Sequence, residues 1–411
     1  MLLVLRRRRG KKERSTSGPS GDARQRFAAL SLGVIAATFG GLVLASADQT
    51  LANLPGLLML IPGAIALRGN IFGAMGSRLG TSVHTGTFRL NFRRDGVVGQ
   101  NLLAAVVLSF ALSVALAVMG RGAANIFGVA PTLSLADFIV VSTVGGVLAS
   151  VLVGAVTVAL VAGSVRFGWD LDNVTSPLVT ALGDLITVPA LVLAAGLIGM
   201  TTLVNTLAVV LVFVTVLGLL AVAKFGQVEL KLMVSQSASI LLLAAFIDLL
   251  AGVTVEKRLD ELLSVKAVLI MLPAFLATAG ALGGILSSRL STQFHLGLDY
   301  ASPIPSRASL RDIRSVVALA APIFVAVAVA AHVLASLASQ TSPGLGQLVL
   351  VALLGGGLAT VLVVLVAYYT TMSAFRFGLD PDTFGIPMVT STLDLVGASA
   401  LILAIGVVGV V

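Results

Sequence analysis

Two aspartates lie where an aspartate is costly. Asp184 sits inside the apolar run that closes VRFGWDLDNVTSPLVTALGDLITV, residues 165–188, and Asp394 sits inside the matching part of AFRFGLDPDTFGIPMVTSTLDLVGA, residues 374–398. The two stretches are copies without a gap. Arg166 and Phe167 recur as Arg376 and Phe377, Asp172, Pro177 and Thr180 recur as Asp382, Pro387 and Thr390, and Asp184 recurs as Asp394, all at an offset of 210. A carboxylate in hydrocarbon costs roughly 2.5–3.5 kcal/mol on insertion scales. Two at repeated positions point to a working site. Asp184 is twelve residues past Asp172, which is ~18 Å of helix and reaches the bilayer midplane from one edge. Pro177, Thr180, Asp184 and Thr187 share one helix face, as do Pro387, Thr390 and Asp394. Carboxylates with hydroxyls and no Cys suit a hard cation. Magnesium is held by one or two carboxylates plus retained waters, whereas zinc and copper call for Cys or His.

The elements that must position these groups are transmembrane helices. The chain has 411 residues, of which 57% are hydrophobic and 11% charged, far below the ~25% charge of a soluble domain. Its apolar runs exceed the ~20 residues a helix needs to span a bilayer. Gly and Pro scattered through them favour helices over a barrel. Eleven spans are expected, near 27–47, 52–77, 97–119, 134–163, 174–199, 202–223, 236–255, 262–288, 315–338, 345–373 and 385–410. The absence of Cys excludes disulfides and thiolate chemistry.

A net charge of +8 would suit nucleic acid, but its distribution argues otherwise. Residues 1–26 carry nine Lys and Arg with no apolar period, which reads as a disordered basic tail beside anionic lipid. With that tail in the cytoplasm, Lys and Arg favour the inner loops by about five to one. The expected orientation is therefore N-terminus inside and C-terminus outside, and no nucleic-acid partner is expected.

A second duplicated stretch marks the fold as a repeat. LIPGAIALRGNIFGAMGSRLGTSVHTG, residues 60–86, aligns with MLPAFLATAGALGGILSSRLSTQFHLG, residues 271–297, at an offset of 211. Pro62, Gly69, Gly73, Arg78, Thr81 and His84 all recur. The chain divides into the tail 1–26, a five-helix repeat 27–200, a linker 201–233 and a second five-helix repeat 234–411. Five spans is an odd number, so the unpartnered span in the linker restores the direction of the second copy. The expected fold is an all-α polytopic membrane protein of two parallel five-helix repeats, with a pseudo-two-fold axis along the membrane normal.

These motifs resemble the membrane domain of the MgtE magnesium channels and of the related magnesium transporters of solute carrier family 41. The RGN and SRLGT segments, and SSRLST in the second copy, are similar to that family's G-N and S-R-[LI]-S-T pattern. DLDNVTSPLVTALGDLIT is similar to its D-P-x-x-x-x-P-x-x-x-x-x-x-D-L pattern. The resemblance covers nearly everything after the tail. It implies a five-helix unit used twice, a divalent-cation pore at the pseudo-dimer interface, and Asp184 and Asp394 as the ion-site carboxylates. There are departures. Phe72 stands where eukaryotic relatives carry an acid after G-N-L, and Ala281 replaces the second Asn, leaving Asn70 alone. With 26 residues before the first span, gating by a preceding soluble sensor domain is not expected.

The expected function is movement of Mg²⁺, or a similar divalent cation, across the cell membrane. Asp184 and Asp394 bind the ion, Thr180, Thr390, Asn70 and Thr187 line its path, and Asp172 and Asp382 read equally as attracting cations to the cytoplasmic mouth or as solvated helix caps. Mg²⁺ is the transported ion, no organic cofactor is expected, and one chain holding both halves allows a monomer to work. Arg68 and Asp248, unpaired between the halves, are candidates for asymmetric coupling. Arg78, Arg289, His84 and His295 read as interfacial structure. Two alternatives remain at this level: an Na⁺- or H⁺-coupled exchanger on the same fold, and a non-transporting scaffold or intramembrane enzyme. No companion motif supports the last, so no enzymatic activity is expected.

Overall fold

The computed structural model describes residues 19–129, 133–167, 171–378 and 384–410, except for the side chains of 19–26, 84, 167, 171–178 and 180. Every regular element among the described residues is a helix. In chain order they are α1 (Pro19–Ser46), α2 (Asp48–Asn53), α3 (Leu57–His84), α4 (Val97–Phe127), α5 (Leu135–Phe167), α6 (Leu171–Ala195) and α7 (Thr201–Phe225), followed by α8 (Val228–Glu256), α9 (Leu259–Ser264), α10 (Lys266–His295), α11 (Arg307–Leu337), α12 (Leu345–Arg376) and α13 (Ile386–Val408). Among the described residues, ten of them are long and apolar enough to cross a membrane. α6 contributes a shorter apolar run, Ala181–Ala195, to that set.

The duplication is visible in the packing. α1, α3, α4, α5 and α6 correspond to α8, α10, α11, α12 and α13, and nearly every extensive contact within one half has its twin in the other. The first helix of each half, however, packs across the boundary. α1 lies against α10 and α11 as well as its own α6, and α8 lies against α3 and α4 as well as its own α13. The halves therefore exchange their first helices, which welds them into one core.

Small residues make this exchange possible. A Cβ added to Gly41 of α1 would collide with the Ile270 carbonyl of α10, and one on Gly252 of α8 would collide with the Met59 carbonyl of α3. Both partners stand 211 residues apart, as do the two glycines. Close backbone approach through small residues is how helices associate where lipid removes the hydrophobic drive. α7 has no counterpart and sits at the periphery on α4 and α5. Only 17% of its apolar window is buried, so Val209, Phe213 and Leu220 face outward as a lipid-facing surface requires.

Pro62 and Pro273 lie inside α3 and α10 without ending them. The near-continuous helices mean that the glycines of these segments serve packing and access. A Cβ on Gly280 would touch Thr390, and one on Gly283 would press on Leu393 and Val389. Gly73 and Gly284, equivalent positions, each face open space.

The helix starts carry distinct caps. Ser134 and Asp137 form a reciprocal capping box at α5, with the Ser134 amide donating to Asp137 at 2.7 Å and the Asp137 amide donating to Ser134 at 3.2 Å. Ser306 caps α11 by accepting from the amides of Ala308 and Ser309.

Candidate functional site

α6 and α13 hold the two repeated aspartates in the middle of the packed helices. Asp184 is the fourteenth of the 25 residues of α6. At 1.5 Å per residue it lies roughly 16–20 Å from either helix end. Its surroundings are tight because its neighbours are small. A Cβ on Gly40 of α1 would lie 2.9 Å from the Asp184 carbonyl oxygen, and one on Gly183 would lie 3.6 Å from the Gly69 amide of α3. α6 is thereby pinned between α1 and α3, and only 4% of Asp184 is exposed. Asp394 of α13 is half-buried.

No base neutralises them among the described residues. Arg68, the arginine inside a span, donates from Nη2 to Ser113 Oγ at 2.7 Å, and its side chain fills the space left by the missing Cβ of Gly146. Its Nε and Nη1 have no partner. Its equivalent in the second half is Ala279. Lys266 pairs with Asp48 at 2.6 Å at the start of α10. This pair joins the halves at their surface and leaves the repeated aspartates untouched.

The other residues singled out in the sequence are spread around this centre. Thr187 lies one turn past Asp184, is fully buried, and its Oγ1 has no hydrogen-bond partner. Thr390 donates to the Pro387 carbonyl at 3.1 Å and is half-buried. Asn70 is half-buried on α3. The side chains of Thr180 and Asp172 lie outside the described residues, as does Asp382 altogether. Asp248 of α8 is fully buried, and its Oδ2 accepts from Ser391 Oγ at 3.0 Å. Among the described residues, no three His, Asp or Glu side chains converge closely enough to form a dehydrated metal cage.

α3 and α10 also carry matched accessible stripes. Asn70, Gly73, Ala74 and Ser77 on α3, and Ala281, Gly284, Ile285 and Ser288 on α10, are half-buried or exposed on otherwise buried helices. Each stripe ends beside an arginine that is anchored to the next helix. Arg78 donates from Nε to Asn101 Oδ1 at 2.8 Å, and Arg289 donates to Asp312 Oδ1 at 2.7 Å and Ser315 Oγ at 3.1 Å. Asn101 and Asp312 are again 211 apart. Sequence inspection missed them, although that shared offset was the signal that would have found them. His295 Nδ1 donates to the Ser291 carbonyl of its own helix at 2.8 Å, and its ring lies edge-on against Phe375 at 5.0 Å, a structural role. The side chain of His84 lies outside the described residues.

The family model for MgtE, described as a divalent cation transporter, matches residues 61–194 and again residues 272–404. Each half is matched once, over equivalent residues, and together the matches cover more than half of the chain. The chain belongs to the MgtE divalent cation transporter family. It is also similar to the mouse and rat proteins named solute carrier family 41 member 3, each 25% identical over 366 residues and 84% of this chain, covering 74% and 78% of those proteins. The chicken protein named solute carrier family 41 member 2 is 23% identical over 371 residues, 85% of this chain and 63% of that protein. No solved structure matches the chain. The two family segments contain α3 and α6 in one half and α10 and α13 in the other, which are the helices that carry the stripes and the aspartates.

Proposed function

We propose that this MgtE-family protein moves Mg²⁺, or a divalent cation like it, along a path on the pseudo-two-fold axis between its halves. The observation that carries the reading is the pair Asp184 and Asp394, duplicated, buried in α6 and half-buried in α13, and without a basic partner among the described residues. Two uncompensated carboxylates are retained in a membrane where a cation is their counter-charge. The accessible stripes on α3 and α10 support a route to that pair, with Asn70 and the serines Ser77 and Ser288 along it. Thr187 and Thr390, with Thr180, offer hydroxyls to the waters of a hydrated ion. Asp172 and Asp382 raise cation concentration at the mouth that leads to α6 and α13.

Because both halves of the site come from one chain, a monomer suffices for one path. The excess of Lys and Arg in the tail and in one set of loops supports an N-terminus in the cytoplasm and a C-terminus outside. The test is Mg²⁺ flux into proteoliposomes, comparing the native chain with Asp184→Asn/Asp394→Asn. Each lost charge-assisted interaction is worth ~1.5–3 kcal/mol, so flux falls by about a hundredfold or more. Flux that survives the double change in a folded protein rejects the axial site. A second reading, exchange of the divalent ion against a monovalent one, is favoured by a single feature, the buried Asp248, which has no counterpart in the first half.

A further inference from the structure

The outer side of the first half carries a lateral cleft. α3, α4 and α5 enclose about 260 Å³ of it. Phe72 of α3 forms its back wall, and a Cβ on Gly154 of α5 would lie 3.0 Å from that ring. The lips are Val106 of α4 and Val151 of α5, 49% and 65% exposed, so the cleft opens sideways from the bundle. Its two serines satisfy each other, Ser150 Oγ donating to Ser109 Oγ at 2.9 Å.

We propose that this cleft holds an acyl chain of an anionic phospholipid, whose phosphate rests on the arginines of the connection between α3 and α4. The wall chemistry selects the chain. An apolar cavity of roughly 150 Å³ already takes benzene in preference to water, and the helices around this larger one are long enough to cross a membrane. The placement of charge selects the headgroup. Gly99, Leu102 and Val106 share one face of α4 at spacings of 3 and 4, and Leu102 and Val106 line the cleft. A Cβ on Gly99 would collide with the Arg93 carbonyl. The connection is therefore folded onto the foot of that same face, about 5 Å along the helix from Leu102. It is fixed there by the Gly99 amide, which donates to the Asn91 carbonyl at 3.2 Å, and by the Arg93 amide, which donates to Asn91 Oδ1 at 2.9 Å. Arg89, Arg93 and Arg94 are exposed on it, beside one acid, Asp95. Leu90 and Phe92, 55% and 63% exposed, alternate with them, a mixture that suits the boundary between headgroups and hydrocarbon. A guanidinium offers phosphate two parallel donors.

The hollow and the charges at its foot occur together in one half and are both replaced in the other. Gly154 and Ala155 correspond to Val364 and Leu365 on α12, while Arg89, Arg93 and Arg94 correspond to Tyr300, Ile304 and Pro305. The inference concerns the outer face of the bundle and stands independently of the proposed ion path.

The test uses the full chain in a neutral detergent, with thermal unfolding followed against added dioleoyl phosphatidylglycerol, dioleoyl phosphatidylcholine or inorganic phosphate. Phosphatidylglycerol raises the unfolding midpoint saturably, and half-saturates at about tenfold lower concentration than phosphatidylcholine. Inorganic phosphate at the same concentrations leaves the midpoint in place. Ala155→Leu, which copies the second half, raises the half-saturating concentration of both lipids by about fivefold or more. Arg93→Gln/Arg94→Gln raises that of phosphatidylglycerol alone, by about tenfold, to the phosphatidylcholine value. Val209→Leu, on the outward face of α7, changes neither. Ala155 is exposed on α5; should its variant fail to fold, the arginine pair decides. The inference is overturned if the two lipids act alike on the native chain, or if Ala155→Leu responds to both as the native chain does. It is equally overturned if inorganic phosphate reproduces the effect of phosphatidylglycerol, since the arginines then bind an anion without a lipid.

Discussion

Gly41 of α1 rests directly on the backbone of Ile270 in α10, and its equivalent Gly252 rests in the same way on Met59 of α3. These two contacts are where the exchanged first helices seat in the opposite half. The obstacle at each is backbone, which does not rotate away. Gly41→Ala and Gly252→Ala therefore each destabilise the protein by about 1–3 kcal/mol through overpacking. Gly357→Ala, on the exposed face of α12 with open space around it, is the matched control and gains ~0.5–1 kcal/mol from helix propensity. Thermal unfolding in detergent separates the two classes. If all three variants unfold alike, the close approach is not what holds the halves together.

Glu256 is a buried carboxylate whose partners are backbone amides. It ends α8, and its two oxygens accept from the amides of Gly56 at 2.8 Å and Met59 at 3.0 Å, at the start of α3 in the other half. The free amides of that helix start have no capping side chain of their own, and a carboxylate complements their partial positive charge. α10 solves the same problem differently, through Thr341, which accepts from the amides of Lys266 and Ala267 at 3.0 and 2.9 Å. Glu256→Ala leaves those donors bare and costs about 1–3 kcal/mol, while Glu256→Gln loses less. Mg²⁺ flux per folded molecule is unchanged in both, and a selective loss of flux in Glu256→Gln contradicts the capping role.

The connection between α10 and α11 carries a pH-sensitive knot. Burial pushes the Asp299 carboxyl up, but the hydroxyls of Ser306 and Ser309 and the amide of Tyr300 outweigh it, so the group sits below the ordinary aspartate value. A depressed folded value stabilises the folded state fully above the unfolded value of ~3.9, and that stabilisation is lost as pH falls through the lower folded value. Limited proteolysis of this loop is therefore slow at pH 5 to 7 and accelerates below about pH 4 in the native chain. In Asp299→Asn it is fast throughout, and the difference between the two proteins closes at the acid end. The loop has further ties, Tyr368 to the Ser302 carbonyl at 2.6 Å and Arg376 to the Ala301 carbonyl at 2.8 Å, so global unfolding shifts less than local cleavage.

Much of this was legible in the sequence because duplication makes equivalence countable. The offsets of 210 and 211 exposed Asp184 with Asp394 and Arg78 with Arg289, and apolar length located the spans. What a linear comparison does not carry is which half a helix packs against. The exchange of α1 and α8 depends on Gly41 and Gly252, single small residues among 43 glycines, without a pattern of their own. Glu256 was passed over for a related reason. Its amide partners lie 200 and 197 residues away, and its equivalent Ala45 gives no repeat to notice. Asp248 was visible as an unpaired acid, but its neighbour Ser391 became meaningful only once α8 was seated against α13.

That seating makes the two repeated aspartates unequal, a consequence accessible to single substitutions. Ala37 and Ala181 stand at the positions equivalent to Asp248 and Ser391, so Asp184→Asn removes one charge of the repeated pair and leaves Asp248, Ser391 and Asp394 in place. Asp394→Asn removes the other charge of the repeated pair, on the helix that Asp248 reaches through Ser391. With each charge-assisted interaction worth ~1.5–3 kcal/mol, Asp184→Asn lowers Mg²⁺ flux about tenfold or more and preserves any dependence of that flux on a Na⁺ gradient. Asp394→Asn lowers flux further and removes the Na⁺ dependence. Paired measurements in proteoliposomes, with Na⁺ inside, outside or replaced by choline at a clamped voltage, resolve the two effects. Equal losses in both variants, with the same response to Na⁺, mean that the pseudo-symmetry extends to function and that Asp248 serves packing alone.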